Sequence, residues 1–310
     1  MTENKKYSSI EPDELMDRIK NKDSIILIDT LTGTHFEKVH LPGALNACVF
    51  EVTFLEQVKA IENSQKAQIV LYGSSNRSRD ALTAAEKLQN EGYENISVLN
   101  GGIEAWRARK FEVQGGQTNM SDTETVLRLD DGKYGVDTDQ SVVEWCGRNP
   151  NNKHFGTVGI KSGEIEVRNA ILTGRFDIDM DSIENINLRG DELHPVLTSH
   201  LKSDDFFLVK IFPIAILTIT EGVPVGTPYL SIPNYELKAT LHLRGVDADL
   251  AFQATMSKTE NGDIAAEAHF DIDRTRWKVI YGSARFFENL GMHLVFDLIS
   301  FQVKIVTCRR

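Results

Sequence analysis

Cysteine is nearly absent: Cys48, Cys146 and Cys308 are the whole complement of a 310-residue chain. Three thiols so far apart in sequence build neither a disulfide framework nor a thiolate metal site, and the setting they fit is a reducing one, the cytoplasm. The eight histidines supply no H-x-x-x-H pair and no clustered carboxylate–histidine spacing, so no metal is expected. Asp177, Asp179 and Asp181 alternate along one stretch, but without the glycine and terminal glutamate of an EF-hand, and read as a solvated face. No run approaches the ~18 consecutive apolar residues of a membrane-spanning helix. The opening stretch MTENKKYSSIEPDELMDRIKNKD has no apolar core of signal-peptide length. Stable membrane insertion is therefore not expected. Net positive charge is lacking too: the chain carries −11 with a pI near 5.3, and both halves are acidic. That balance excludes general adhesion to nucleic acid or anionic membrane surfaces.

What remains is an ordinary globular composition, 41% hydrophobic and 25% charged, in a chain long enough for two domains. The halves follow different patterns. In residues 1–113, short continuous β-rich runs (SIILIDT, AQIVLY, NISVL) alternate with helical patterns such as SRDALTAAEKLQNEG, which ends at Gly92. Continuous apolar runs are strands buried on both faces, so the expected fold is a parallel α/β sheet flanked by helices. Residues 114–133 are polar and rich in Gly, Ser, Thr and Asp, a linker. Beyond it, in 134–310, YELKATLHLRG alternates strictly, with Leu237, Ala239, Leu241 and Leu243 on one face. Asn261-Gly262 marks a hairpin, and SGEIEVRN, FPIAILTIT and VFDLISFQVKIV add strands. ELHPVLTSHLKSDDFF and SARFFENLG are the two expected short helices. This half is all-β and antiparallel, a sandwich or a closed barrel.

QIVLYGSSNRSRDA, residues 68–81, is a strand–loop–helix junction, where backbone N–H groups form a cradle for an anion. The surrounding residues resemble a rhodanese-like domain. LIDTLTGTHFEKVHLPGALN carries Asp29 after a strand and HLPGA at 40–44, and GYENISVLNGGIEAW supplies the later strand, Gly-Gly turn and tryptophan. The resemblance implies a five-stranded parallel sheet, and in active members a loop cysteine that carries sulfur as a persulfide. Anchored on Arg77-Ser78, the family's loop pattern puts Tyr72 where the cysteine stands, Ser75 where a glycine stands, and Leu31 where an arginine often follows the aspartate. A phenol forms no persulfide and is a poor nucleophile at neutral pH. The loop Tyr72, Gly73, Ser74, Ser75, Asn76, Arg77 and Ser78 is expected to be sulfurtransferase-dead, with no catalytic residue, and to dock a partner or bind an anion. Cys48 lies away from it in sequence and reads as a small buried hydrophobe.

A second resemblance rests on YGVDTDQSVVEW (134–145), HFGTVGIKSGEI (154–165), SHLKSDDFF (199–207), LHLRGVDADLAFQA (241–254) and DIDRTRW (271–277). Together these resemble the YceI family, whose lipocalin-like antiparallel barrel is associated with a polyisoprenoid along its axis. The implied ligand is a long apolar small molecule, a polyisoprenoid or quinone-like lipid, with no other cofactor. An eight-stranded barrel has room for side chains or for one slender ligand. The expected wall is aromatic: Trp145, Phe155, Phe206, Phe207, Trp277, Tyr281, Phe286 and Phe287, with His154 and His200 hydrogen-bonding a head group. The paired phenylalanines stand out because neighbours on a turn do not all face one core. Asp273-Arg274 reads as an ion pair, either buried or exposed. The expected function is a cytoplasmic, non-catalytic binding protein, with the first domain offered to a protein partner. The alternatives are a sulfurtransferase acting on an apolar acceptor, quinone-like or prenylated, and a scaffold working through protein contacts alone.

Overall fold

A computed structural model describes residues 7–116, 126–259 and 261–309 of the chain, which divides into two units, Met1–Thr123 and Glu124–Arg310. The first unit follows the alternating pattern: β1 Ser8–Ile10, α1 Pro12–Lys20, β2 Ile26–Asp29, α2 Gly33–Lys38, β3 Leu45–Asn46, α3 Phe54–Ile61, β4 Gln68–Tyr72, α4 Asp80–Asn90, β5 Asn95–Leu99 and α5 Gly102–Ala108. All pairings in its five-stranded sheet are parallel, in the order β1-β5-β4-β2-β3. The apolar runs of β2, β4 and β5 are continuous because these strands are dry on both sides. Ile28, Ile69 and Leu71 face α3 and α4, where Phe54, Val58, Ala81, Ala85 and Leu88 are buried. Leu27, Val70 and Tyr72 face the other way, onto Leu15, Leu41, Ile103 and Trp106.

The second unit contains β6 Gly132–Val136, β7 Val142–Arg148, β8 Lys153–Arg168, β9 Ile171–Asn185, α6 Leu193–Lys202, β10 Ile214–Pro224, β11 Tyr235–Leu243, β12 Val246–Lys258, β13 Ile264–Asp273 and β14 Leu298–Arg309. Strands β7 to β14 pair antiparallel in chain order and close through β14 onto β7, an eight-stranded barrel. Strand β6 shares one position in the ring with β7. It pairs with β8 and β14 at the end that β7 leaves free. The period-two pattern of β11 is realised: Tyr235, Leu237, Ala239, Leu241 and Leu243 are buried, while Glu236 and Lys238 are exposed. Gly262, with φ 81°, turns the expected hairpin between β12 and β13.

Of the segment read as a linker, residues 117–125 lie outside the described residues. Before them, Gln114 and His40 exchange two backbone hydrogen bonds of 2.8 Å; after them, Leu127 and Leu129 are buried in the barrel core. The helix expected over SARFFENLG is not formed. Residues 283–287 make one turn, in which the Ser283 carbonyl accepts from both Phe286 and Phe287, and left-handed Gly282, Asn289 and Gly291 stop it from propagating. A 3₁₀ turn at Gly291–His293 follows. Asp273-Arg274 is not the ion pair the sequence suggested. Asp273 caps the 3₁₀ turn Arg274–Trp277 through Thr275 N and pairs with Arg285 at 2.7 Å, while Arg274 is buried and meets Asp297 at 3.5 Å. Asp177 pairs with Arg175 and Asp181 with Lys202 on the outer face of β9.

Candidate functional site in the barrel and the first-unit loop

Inward-facing residues of the barrel leave two adjoining cavities of about 110 Å³ each. The first is enclosed entirely by strand residues, among them Phe176, Leu237, Met256 and Val303. The second lies beneath non-strand segments that cover the barrel: Leu201 of α6, Phe206, Phe207, Val295 and Phe296. Val143, Ile178, Leu241, Ile272 and Phe301 line both and form the waist between them. No polar atom of either wall is presented to the hollow. Even Arg274, at the edge of the second, has its guanidinium occupied by the carbonyls of Val279, Val295 and Phe296 at 2.7–3.1 Å. Such a surface offers a guest no directional bond. Its whole contribution is burial of hydrocarbon, worth on the order of 0.8 kcal/mol per methylene.

The sequence-expected wall residues separate into three groups. Trp145, Phe206 and Phe207 line the second cavity, and Trp145 Nε1 donates to the Thr157 carbonyl. Trp277 is fully buried but acts as an anchor, its Nε1 donating to Leu241 O at 2.8 Å, and Tyr281 packs edge-on to His200 without lining either cavity. Phe155, Phe286 and Phe287 are exposed. Strand parity explains the first of these: Val158 and Ile160 of β8 point inward, so odd-numbered Phe155 points out, under the Lys153 ammonium. The two histidines are not brought together. His154 faces Asn187 at 3.4 Å; His200 pairs with Asp205 at 2.9 Å between the rings of Phe206 and Tyr281. Leu241 lies on the inward face, as its alternation with Leu237, Ala239 and Leu243 implied; the expected wall left out Phe252, Phe270 and Phe301, which also line the first cavity.

In the first unit, the Tyr72 ring leaves β4 on the face away from α4 and its hydroxyl accepts from Leu41 N at 3.0 Å. Burial, then the neighbouring Asp29 carboxylate, push this phenol far above its ordinary pKa. The ring is therefore core, and the loop proper begins at Gly73. Its donors already hold an anion. Ser74 N, Ser74 Oγ and Ser78 Oγ all donate to one carboxylate oxygen of buried Asp80, at 2.8–3.1 Å. Arg77 N donates to Ser75 Oγ, Ser78 N to the Ser75 carbonyl, and Asn76 Oδ1 accepts from Gly101 N. A Cβ on Gly73 would overlap the Asp80 carboxyl group, so glycine is the side chain that leaves it room. Arg77 itself is exposed and pairs with Glu104 at 3.3 Å.

Asp29, also fully buried, accepts from Leu31 N at 2.8 Å through one oxygen. Burial raises its pKa to about 6 against the partial opposition of Leu31 N, Tyr72 and His40. Between the ordinary carboxylate pKa and 6 the folded chain keeps a proton that the unfolded chain has released. Stability of this unit thus falls as pH rises through that window and stays lower above it. Asp29→Asn is expected to raise the stability of the first unit at pH 7.5 by roughly 2–3 kcal/mol and to flatten the decline between pH 4 and 6. Urea unfolding at a series of pH values reads both; an unaltered midpoint at pH 7.5 contradicts the assignment.

Comparison with known proteins agrees with this division. Residues 11–109 match the Rhodanese-like domain family, and residues 134–307 match the YceI-like domain family. A curated relative, an adenylyltransferase and sulfurtransferase of Candida albicans, is 29% identical over 102 residues; they make up 31% of this chain and 23% of that protein, so the chain spans about a quarter of its length. Among solved structures, BcnA of Burkholderia cenocepacia is 18% identical with a TM-score of 0.44, over 55% of this chain and 98% of that one. A polyisoprenoid binding domain from Saccharophagus degradans is 14% identical with a TM-score of 0.41, over 57% and 98%. The BH2092 protein from Bacillus halodurans is 26% identical with a TM-score of 0.32, over 35% and 77%. Among the described residues no helix is long and apolar enough to cross a membrane. With a closed antiparallel barrel whose family match covers more than half of the chain and a parallel α/β unit matched before it, the chain belongs to the YceI-like family and carries a rhodanese-like domain ahead of the barrel.

Proposed function

We propose that the protein binds an isoprenoid or another long apolar chain inside the barrel and that its rhodanese-like unit is a non-catalytic docking module. The observation that carries the reading is the pair of adjoining hollows whose walls present no polar atom. Each alone is on the scale of a single small hydrocarbon. Together they suit a thin chain that displaces the waist side chains as it passes from one to the other. Trp145, Phe206 and Phe207 contact its far end. The head group stays outside the hollows, because nothing within them can hydrogen-bond it.

For the first unit, the loop holds no thiol between Tyr72 and Ser78, and the Asp80 carboxyl group already takes Ser74 N and the Ser74 and Ser78 hydroxyls. Purified protein is expected to show no thiosulfate:cyanide sulfurtransferase turnover. All three cysteines are free, which supports a reducing compartment. The decisive measurement is organic extraction of natively purified protein followed by mass spectrometry. A long-chain apolar molecule near one per chain is the expected result. Repeatedly empty barrels that also take up neither retinol nor a longer polyprenol would overturn the reading.

A further inference from the structure

The barrel wall is not laddered evenly. Strands β12 and β13 pair from Lys258 with Ile264 as far as Ala254 with Ala268, and there the pairing stops. Residues 246–253 continue on β11 alone, through the pairs up to Val246 with Leu243, and residues 269–273 continue on β14 alone, up to Asp273 with Leu298. Two backbone edges therefore face each other without hydrogen bonds between them, whereas elsewhere in the wall pairing is interrupted only by bulges, the widest at residues 180–183 of β9, and resumes beyond them. Side chains close the gap. Phe252 and Phe270, opposite each other in the continued register, stack with ring centroids 4.2 Å apart and planes at 19°, and Phe301 continues the stack behind them at 5.9 Å. Outside, the exposed Arg276 reaches back from the 3₁₀ turn after β13 and donates to the Asp249 carbonyl on the unpaired edge of β12, at 2.7 Å.

Behind this seam lies the first cavity. Leu250, Phe252, Phe270 and Ile272, two from each unpaired edge, are part of its wall. Backbone ladders must break in concert before strands separate, whereas stacked rings and one exposed arginine rotate without breaking a ladder. The other cavity lies under α6 and the 206–207 and 295–296 segments, so the barrel is covered at that end.

We infer that the β12–β13 seam is a lateral portal, gated by the Phe252–Phe270 stack and latched by Arg276, through which an apolar chain enters the barrel sideways. The inference rests on the binding reading above. The physical reason is economy of motion: a chain that enters broadside at the seam meets the first hollow directly, while one entering from the covered end must first displace α6 and the aromatic cover.

The test is a crosslink on the outer face. Ala251→Cys and Asp271→Cys, exposed and opposite each other in the continued register, are joined by a short bis-maleimide in the full chain with Cys146→Ser and Cys308→Ser. Retinol serves as a fluorescent C20 isoprenoid probe in stopped-flow binding. Crosslinking is expected to slow association and dissociation together by tenfold or more while the equilibrium constant stays within about twofold, since a gate alters both rates equally. Arg276→Ala, a single exposed change, is expected to raise both rates several-fold. Retinol that binds the crosslinked and uncrosslinked forms at equal rates, with Arg276→Ala also unchanged, overturns the portal and leaves the binding reading standing. Failure of every form, the native chain included, to bind retinol or a longer polyprenol overturns the binding reading and the portal with it.

Discussion

Leu241→Trp is expected to weaken binding of an apolar chain probe such as retinol by at least about 100-fold, equivalent to about 2.7 kcal/mol. Leu241 stands at the waist and lines both hollows, so an indole there fills space on either side at once. Its carbonyl receives Trp277 Nε1, a backbone contact that the substitution leaves in place. Overpacking costs about 1–3 kcal/mol of stability, which a closed eight-stranded barrel tolerates. Leu241→Met, nearly equal in volume, separates occlusion from mere disturbance and should bind within a few-fold of the native chain. Titration of the three proteins checks the claim. Native affinity in Leu241→Trp would show that the probe sits elsewhere.

Arg274→Met is expected to destabilise the second unit by about 3–5 kcal/mol. The guanidinium is 1% exposed, and burial lowers its pKa against the support of Asp297 and Asp273. It remains charged because its fork is matched to three carbonyls, those of Val279, Val295 and Phe296. A thioether fills the space but abandons all three acceptors in a dry place. The cover over the second hollow, which includes Val295 and Phe296, should loosen first. Arg274→Lys should recover a minor part of the loss, since an ammonium does not span three separated acceptors in the same geometry. Urea unfolding followed by near-ultraviolet circular dichroism, to which the buried Trp145 and Trp277 of this unit contribute beside Trp106 of the first, measures the change; a loss below about 1 kcal/mol contradicts the role given to the fork.

Most of the architecture was legible because it is written in short-range periodicity. The alternation of residues 235–243, the Asn261-Gly262 turn and the unbroken apolar runs of the first unit each specify a local geometry that packing then accepts. The misreadings share a different cause. Asp273 and Arg274 adjoin in sequence, but their partners, Arg285 and Asp297, lie 12 and 23 residues further on in a segment without periodicity. The pair Phe206-Phe207 and the pair Phe286-Phe287 look alike on paper. The first is held under the barrel by Leu201 O accepting from Phe207 N, while the second sits on a single turn that left-handed residues terminate in solvent. Asp80 escaped notice because an aspartate at the start of a helix is commonplace. Its three donors, Ser74 N, Ser74 Oγ and Ser78 Oγ, are seen only once the loop has folded back over it.

Asp80 also bears on how this chain meets its chemical surroundings. A cradle that keeps a thiol changes charge and bulk each time the sulfur is loaded, oxidised or alkylated. Here the guest is a permanent residue of the host, and the segment from Gly73 to Ser78 contains no sulfur for peroxide to oxidise. The outline of that loop is thus set by the chain's own residues and not by the redox state of a sulfur atom.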